Sequence, residues 1–176
     1  MKKKMITVLS IGLLLVCFTG LSQAASIDFE AVTTGNYSSL NFGDAVLSSN
    51  SGGFEIVDRS PWGGNSLLDT DMYGSTLTFL TNVTDVSIFV GDYGEDEDPV
   101  YLEAYDSVGN LLASDAFVVP DTMIGGETLS VASLSAISYV TFKSGNPYPG
   151  SVYWDDIEYT AASASVPEPA TLLLLG

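Results

Sequence analysis

From residue 26 to residue 159 the chain alternates apolar and polar side chains in short runs broken by turn formers, and no window sustains a helical period. The clearest runs are 26–30, 53–57, 75–80, 85–90, 100–105, 111–117, 127–131, 138–143 and 152–159, with a shorter one around 45–47. Valine, isoleucine, tyrosine, phenylalanine and threonine dominate them, the residue types that pack well on a pleated surface. Between them lie turn-rich stretches: 59–65 (Arg-Ser-Pro-Trp-Gly-Gly-Asn) reads as a loop and 106–110 (Asp-Ser-Val-Gly-Asn) as a tight turn. Many short strands with Gly/Pro turns specify an all-β, two-sheet antiparallel β-sandwich of the jelly-roll kind.

Charge narrows the function. The chain carries 22 acidic and 5 basic residues, a formal charge of −17. Three of the bases, Lys2, Lys3 and Lys4, stand at the head of an apolar stretch over 6–18 that is followed by Ser22-Gln23-Ala24. That is the layout of a secretory signal peptide, 1–24, with cleavage expected after Ala24. Removing it leaves Arg59 and Lys143 against 22 acids, a charge of −20. Such a surface repels nucleic acid and anionic headgroups and recruits cations. Cys17, whose neighbours Val16 and Phe18 do not suit lipidation, leaves with the leader, so no disulfide can staple the mature domain. About 135 residues, 25–160, then remain for one domain with its own core.

Residues 161–165 are small and polar, a linker to a very different ending. In Val166-Pro167-Glu168-Pro169 each proline fixes φ and lacks an amide donor, so the stretch is extended, and leucines follow it. The motif resembles the start of a PEP-CTERM sorting signal, which would make 161–176 a linker and sorting segment. The resemblance implies an exosortase-type processing protease as partner, transient membrane anchoring, and residence in the cell envelope or extracellular matrix of a Gram-negative-type bacterium. In that family a spanning helix and arginines follow the motif. The apolar run up to Gly176 is far short of the ~20 residues a span needs, so the chain is expected to continue. The plainer alternative is a proline-bearing linker with a hydrophobic tail.

The closing strand, Val152-Tyr-Trp-Asp-Asp-Ile-Glu-Tyr159 after Val140-Thr-Phe142, resembles the end of galactose-binding-like jelly rolls, among them many carbohydrate-binding modules. The resemblance implies a structural calcium ion near the first and last strands, with Glu30 and Asp156 as its carboxylates. Asp155 and Asp156 must face opposite sides of a strand, and the pattern favours Asp156 as the inward one beside Trp154. The alternative is that these acids cap strand ends and face water. A second acidic stretch, 92–98, could cage a cation but lacks the loop length and terminal glutamate of an EF-hand. It reads as a solvated surface turn with weak ion binding.

Extracellular polysaccharide is the expected ligand class. Sugar faces stack on exposed aromatics, and Trp62, Tyr93 and Tyr148 stand in loops, as does Tyr73, with Arg59, Asn65 and Asn146 nearby to bond hydroxyls. Phe89, Tyr101, Phe142 and Trp154 are expected in the core. Catalysis is not expected. The chain has no histidine and, past the leader, no cysteine, so the usual nucleophilic systems and histidine zinc sites are absent. No carboxylate stands in a context that predicts a general acid. A purely structural surface protein is the alternative.

Overall fold

The computed structural model describes residues 24–69, 72–93, 96–121, 125–145 and 151–162, all within the compact unit Ser22–Ala162. The expected leader up to residue 23, the sorting residues Val166, Pro167, Glu168 and Pro169, and Asn146 and Tyr148 lie outside them. Eleven strands are described: β1 (Ala24–Ile27), β2 (Gly35–Tyr37), β3 (Ser39–Asn41), β4 (Ala45–Ser49), β5 (Phe54–Val57), β6 (Ser66–Asp69), β7 (Ser75–Asp92), β8 (Asp98–Tyr105), β9 (Leu111–Val119), β10 (Gly125–Ser144) and β11 (Tyr153–Ala161).

All pairings are antiparallel, and the register sorts them into two layers. The first layer runs β2-β5-β6-β11, then the second half of β7 and the first half of β10. Here β1 and β6 lie end to end along the same side of β11. The second layer runs β3-β4, then the first half of β7 and the second half of β10, then β8-β9. The two long strands β7 and β10 therefore belong to both layers, and the hydrogen-bond ladder is continuous. They turn the corner at a bulge, where the pairing shifts between Ala132 and Ile137 and Leu134 is thrown fully into solvent. The expected all-β sandwich of jelly-roll class is the observed one.

Alternation fills the space between the layers. Phe54, Ile56, Leu67, Ile88, Val90 and Trp154 point in from the first layer, and Leu47, Leu77, Leu102, Val140 and Phe142 from the second. Rings meet across it, Phe142 on Trp154 at 4.9 Å and Phe79 on Tyr159 at 4.9 Å between centroids. Asp115 of β9 closes one edge, its carboxylate accepting the backbone N–H of Ser130 on β10.

Three strand expectations need correction. The runs 75–80 and 85–90 are one strand, as are 127–131 and 138–143, because each passes from layer to layer without a turn. Strands β2, β3 and β6 are not among the expected runs. All four residues of β6 are buried, Leu67 in the main core and Leu68 in a separate outer cluster, so it shows no period of two. The first strand ends at Ile27 instead of residue 30, because Phe29 takes a left-handed φ of 55° and its carbonyl accepts Val32 N–H in a turn.

Candidate functional site

The loop 58–65 folds over the outer face of the first layer. Tyr153, Leu68 and Val57 make a small apolar cluster there, and half-buried Trp62 packs on it. The Trp62 ring stands edge-on to Phe89 at 4.8 Å and to Tyr153 at 6.3 Å, and Tyr93 stands edge-on to Tyr153 at 5.6 Å. The Tyr93 hydroxyl donates to the Arg59 carbonyl, while the Arg59 guanidinium reaches Glu55 at 3.9 Å. At the far end of the loop, Asn65 donates its N–H to Glu30 Oε1 and its side-chain amide to the Val32 carbonyl. Gly64 allows this approach: a Cβ there would lie 2.1 Å from Glu30 Oε1. Arg59, Trp62, Asn65 and Tyr93 are thus brought into one region, with Trp62 half-buried instead of a free stacking platform.

Trp62 also roofs Asp155. Its Nε1–H and the Ser66 hydroxyl both donate to Asp155 Oδ2, at 3.1 and 2.9 Å, and Asp156 N–H donates to Oδ1. Burial pushes the Asp155 carboxyl above the usual carboxylate range, and these three hydrogen bonds hold it back only in part. Asp155 faces the outer side with its ladder partner Phe89, as alternation requires, and is buried there by the loop, whereas Asp156, expected inward, is exposed. A bulge between Asp155 and Glu158, with a left-handed φ of 44° at Asp156, separates the two carboxylates. The β1–β11 pairing ends at Ile27 opposite Ile157, next to Asp156, and the turn that carries Glu30 follows Ile27.

Removing the indole donor gives a pH-resolved prediction. Trp62→Phe keeps the ring packing but leaves Asp155 short of a partner, at a cost of about 1–2 kcal/mol when the carboxyl is charged. A folded pKa above the unfolded one means that stability is lost as pH rises from the unfolded value through the folded one. The variant should therefore be nearly as stable as the wild type below pH ~4 and clearly weaker at neutral pH. Urea unfolding at both values checks this; an equal loss at both would refute the coupling.

A second region lies on the outer face of the second layer, where β8 and β10 run side by side. The register sets Tyr101 beside Lys143, Glu103 beside Thr141 and Tyr105 beside Tyr139. Tyr105 and Tyr139 stack at 5.0 Å and 10°, and the Lys143 ammonium sits 5.9 Å from the Tyr101 ring centre. Glu103 Oε2 accepts from the Tyr105 hydroxyl at 2.8 Å and from Thr141 at 3.4 Å, which fixes the carboxylate. Burial and the bond to Glu103 in turn raise the Tyr105 pKa.

A groove of about 500 Å³ runs along this face, lined by Met72, Tyr73, Tyr101, Glu103, Lys143 and Ser144. Tyr73 is 62% exposed and Tyr101 37%. Asn50 clamps the turn that carries Tyr73, accepting from Thr76 Oγ1 and donating to the Tyr73 carbonyl, while its own N–H donates to the Gly74 carbonyl. Gly74 itself, at φ 69°, lies so close to β10 that a Cβ would be 2.2 Å from the Phe142 carbonyl oxygen. Tyr101 is thus a surface ring and not the expected core residue. Phe89 is half-buried on the outer face of the first layer, whereas Phe142 and Trp154 are core as expected. The alternation of 100–105 held the signal: with Val100, Leu102 and Ala104 inward, Tyr101, Glu103 and Tyr105 must face out.

The acidic stretch also departs from expectation. Asp92 and Asp98 are buried while Asp96 and Glu97 are exposed, so this is not simply a solvated turn. Burial pushes the Asp92 carboxyl up to about 6, opposed by the Tyr93 N–H bond and reinforced by Asp98 and Asp96.

No protein-family model matches the chain, and no characterised protein matches it by sequence. Among solved structures it is similar to the CBM22-1 xylan-binding domain of Paenibacillus barcinonensis Xyn10C, at 16% identity over 81% of this chain and 97% of that one, with a TM-score of 0.47. It is similar also to CsCBM6-3 of Clostridium stercorarium, solved with cellobiose, at 14% identity over 78% and 94%, TM-score 0.42. A third is the K1 cleaved adhesin domain of Lys-gingipain from Porphyromonas gingivalis W83, at 13% identity over 80% and 99%, TM-score 0.42. Likenesses this distant assign no ligand, so the site is read from its own residues.

Proposed function

We propose that this chain is a non-catalytic polysaccharide-binding protein of the cell envelope or extracellular matrix, and that the groove on the outer face of its second layer holds the glycan. The observation that carries the reading is the pair of exposed rings, Tyr73 and Tyr101, set along one groove with Glu103 and Lys143 between strand and turn. Rings offer flat apolar faces to pyranoses, and a fixed carboxylate and an ammonium can bond their hydroxyls. The rings sit on paired strands and a clamped turn, so little order has to be gained on binding. Export and retention are supported by the leader-like residues 1–24 and by the Val166–Pro169 motif, with an exosortase-type protease as processing partner. The reading keeps a structural calcium ion at Glu30 and Asp156. Its support is the oxygen-donor chemistry and the left-handed backbone at Phe29 and Asp156, the non-glycine residues of positive φ among those described.

Affinity electrophoresis of the full chain against a panel of bacterial and plant polysaccharides tests the assignment. Truncating a central aromatic anchor costs about 2 kcal/mol or more, so Tyr101→Ala and Tyr73→Ala should each weaken binding roughly 30-fold with the fold intact. If Trp62→Ala abolished binding and Tyr101→Ala did not, the glycan would belong on the loop 58–65. Retention on no member of the panel would favour the structural role.

A further inference from the structure

Where β7 ends and β8 begins, three carboxylates converge: one oxygen each from Asp92, Asp96 and Asp98 lie within 4.8 Å of one another. Two of these side chains are out of solvent, Asp92 at 1% exposure and Asp98 at 0%. Asp92 Oδ1 accepts the Tyr93 N–H, but its Oδ2 is buried with no hydrogen-bond partner. An oxygen in that state loses its hydration without compensation, and native structures rarely leave it so. Protein cations do not supply the remedy. The strong bases among the described residues are Arg59, drawn to Glu55, and Lys143, over Tyr101.

We infer that Asp92, Asp96 and Asp98 form a calcium site, separate from Glu30 and Asp156. Calcium accepts a cage of several protein carboxylates in flexible geometry, whereas magnesium is held by one or two and keeps its waters, so three converging aspartates suit calcium. Asp98 also accepts from the Ser151 hydroxyl, at 3.3 Å, just ahead of β11. The ion therefore ties the end of β7 to the start of β8 and, through Ser151, to the approach of β11. It also fixes the base of Tyr93, whose ring and hydroxyl brace Tyr153 and the Arg59 loop. The site is independent of the glycan reading.

The test uses the full chain, stripped with EGTA and titrated with CaCl₂ or MgCl₂ by calorimetry and thermal melting. Calcium at about 100 times its Kd should raise Tm by roughly 5–10 °C, and magnesium at the same concentration by much less. Asp96 is exposed, so Asp96→Asn should fold normally yet bind calcium at least tenfold more weakly at this site; Asp92→Asn should do the same. Glu30→Gln combined with Asp156→Asn should leave this binding step unchanged. Terbium supplies a second readout, since the nearby Tyr93 should sensitise its emission in the wild type and not in Asp96→Asn. No calcium response in the wild type, an unaltered response in Asp96→Asn, or equal responses to the two metals would overturn the assignment.

Discussion

Truncation of Trp154 to alanine is expected to lower the stability of the domain by about 3–5 kcal/mol, the range for removing a fully buried large ring. Trp154 has no exposed surface and packs against Phe142 of the facing layer, so the vacated volume lies between the layers, where β10 and β11 cannot close on it. For a domain of this size that corresponds to a fall in Tm of roughly 10–15 °C. A second substitution separates volume from polarity. The Trp154 Nε1–H is buried with no acceptor, a defect worth about 1–3 kcal/mol. Trp154→Phe removes that defect along with part of the ring, so the two changes offset and the loss should stay below about 1.5 kcal/mol. Urea unfolding of both variants decides it. A Trp154→Phe variant as damaged as Trp154→Ala would show that the indole N–H does have a partner.

The same residue shows what local sequence can and cannot say. Alternation in Val152–Tyr159 correctly sends Trp154 inward, and it sends Tyr153 out, where it anchors the Trp62 and Tyr93 cluster. It fails at Asp156, which it sends inward and which is exposed. A bulge inserts itself at Asp155 and Asp156, the pairing with β7 skips, and the buried carboxylate becomes Asp155 under its Trp62 roof. A strand pattern carries no mark of a bulge that is stabilised by a loop 93 residues away in sequence. Tyr101 was misplaced for a different reason. Aromatic composition outweighed a period of two that was already visible in 100–105, although that period alone put the ring on the outer face beside Glu103. The acidic run 92–98 looked like a solvated turn because charge density usually means exposure. The burial of Asp92 and Asp98 is a tertiary fact, set by the ends of β7 and β8 and by Ser151.

Gly91 is where that burial begins, and Gly91→Ala is expected to cost about 3 kcal/mol or more, at or above the top of the usual 1–3 kcal/mol for overpacking. In the ladder Gly91 faces Gly126 of β10 on one side and Tyr153 of β11 on the other. A Cβ on Gly91 would stand 1.9 Å from the Gly125 carbonyl oxygen and 2.6 Å from Gly126 Cα. Those are backbone atoms, so no rotamer change relieves the clash and the end of the β7–β10 ladder has to open. Gly43→Ala is the fitting control. It has a φ of 96° but nothing within 4 Å of a Cβ, so it pays only for conformation, about 1 kcal/mol. Because Asp92 follows Gly91 directly, opening the ladder also displaces the oxygen that sits unpartnered among the three aspartates. Gly91→Ala should therefore lose both its melting temperature and most of its calcium response, whereas Gly43→Ala keeps the calcium response in full. If Gly91→Ala melted like the wild type, the close approach of β7 and β10, and with it the burial of Asp92, would be refuted.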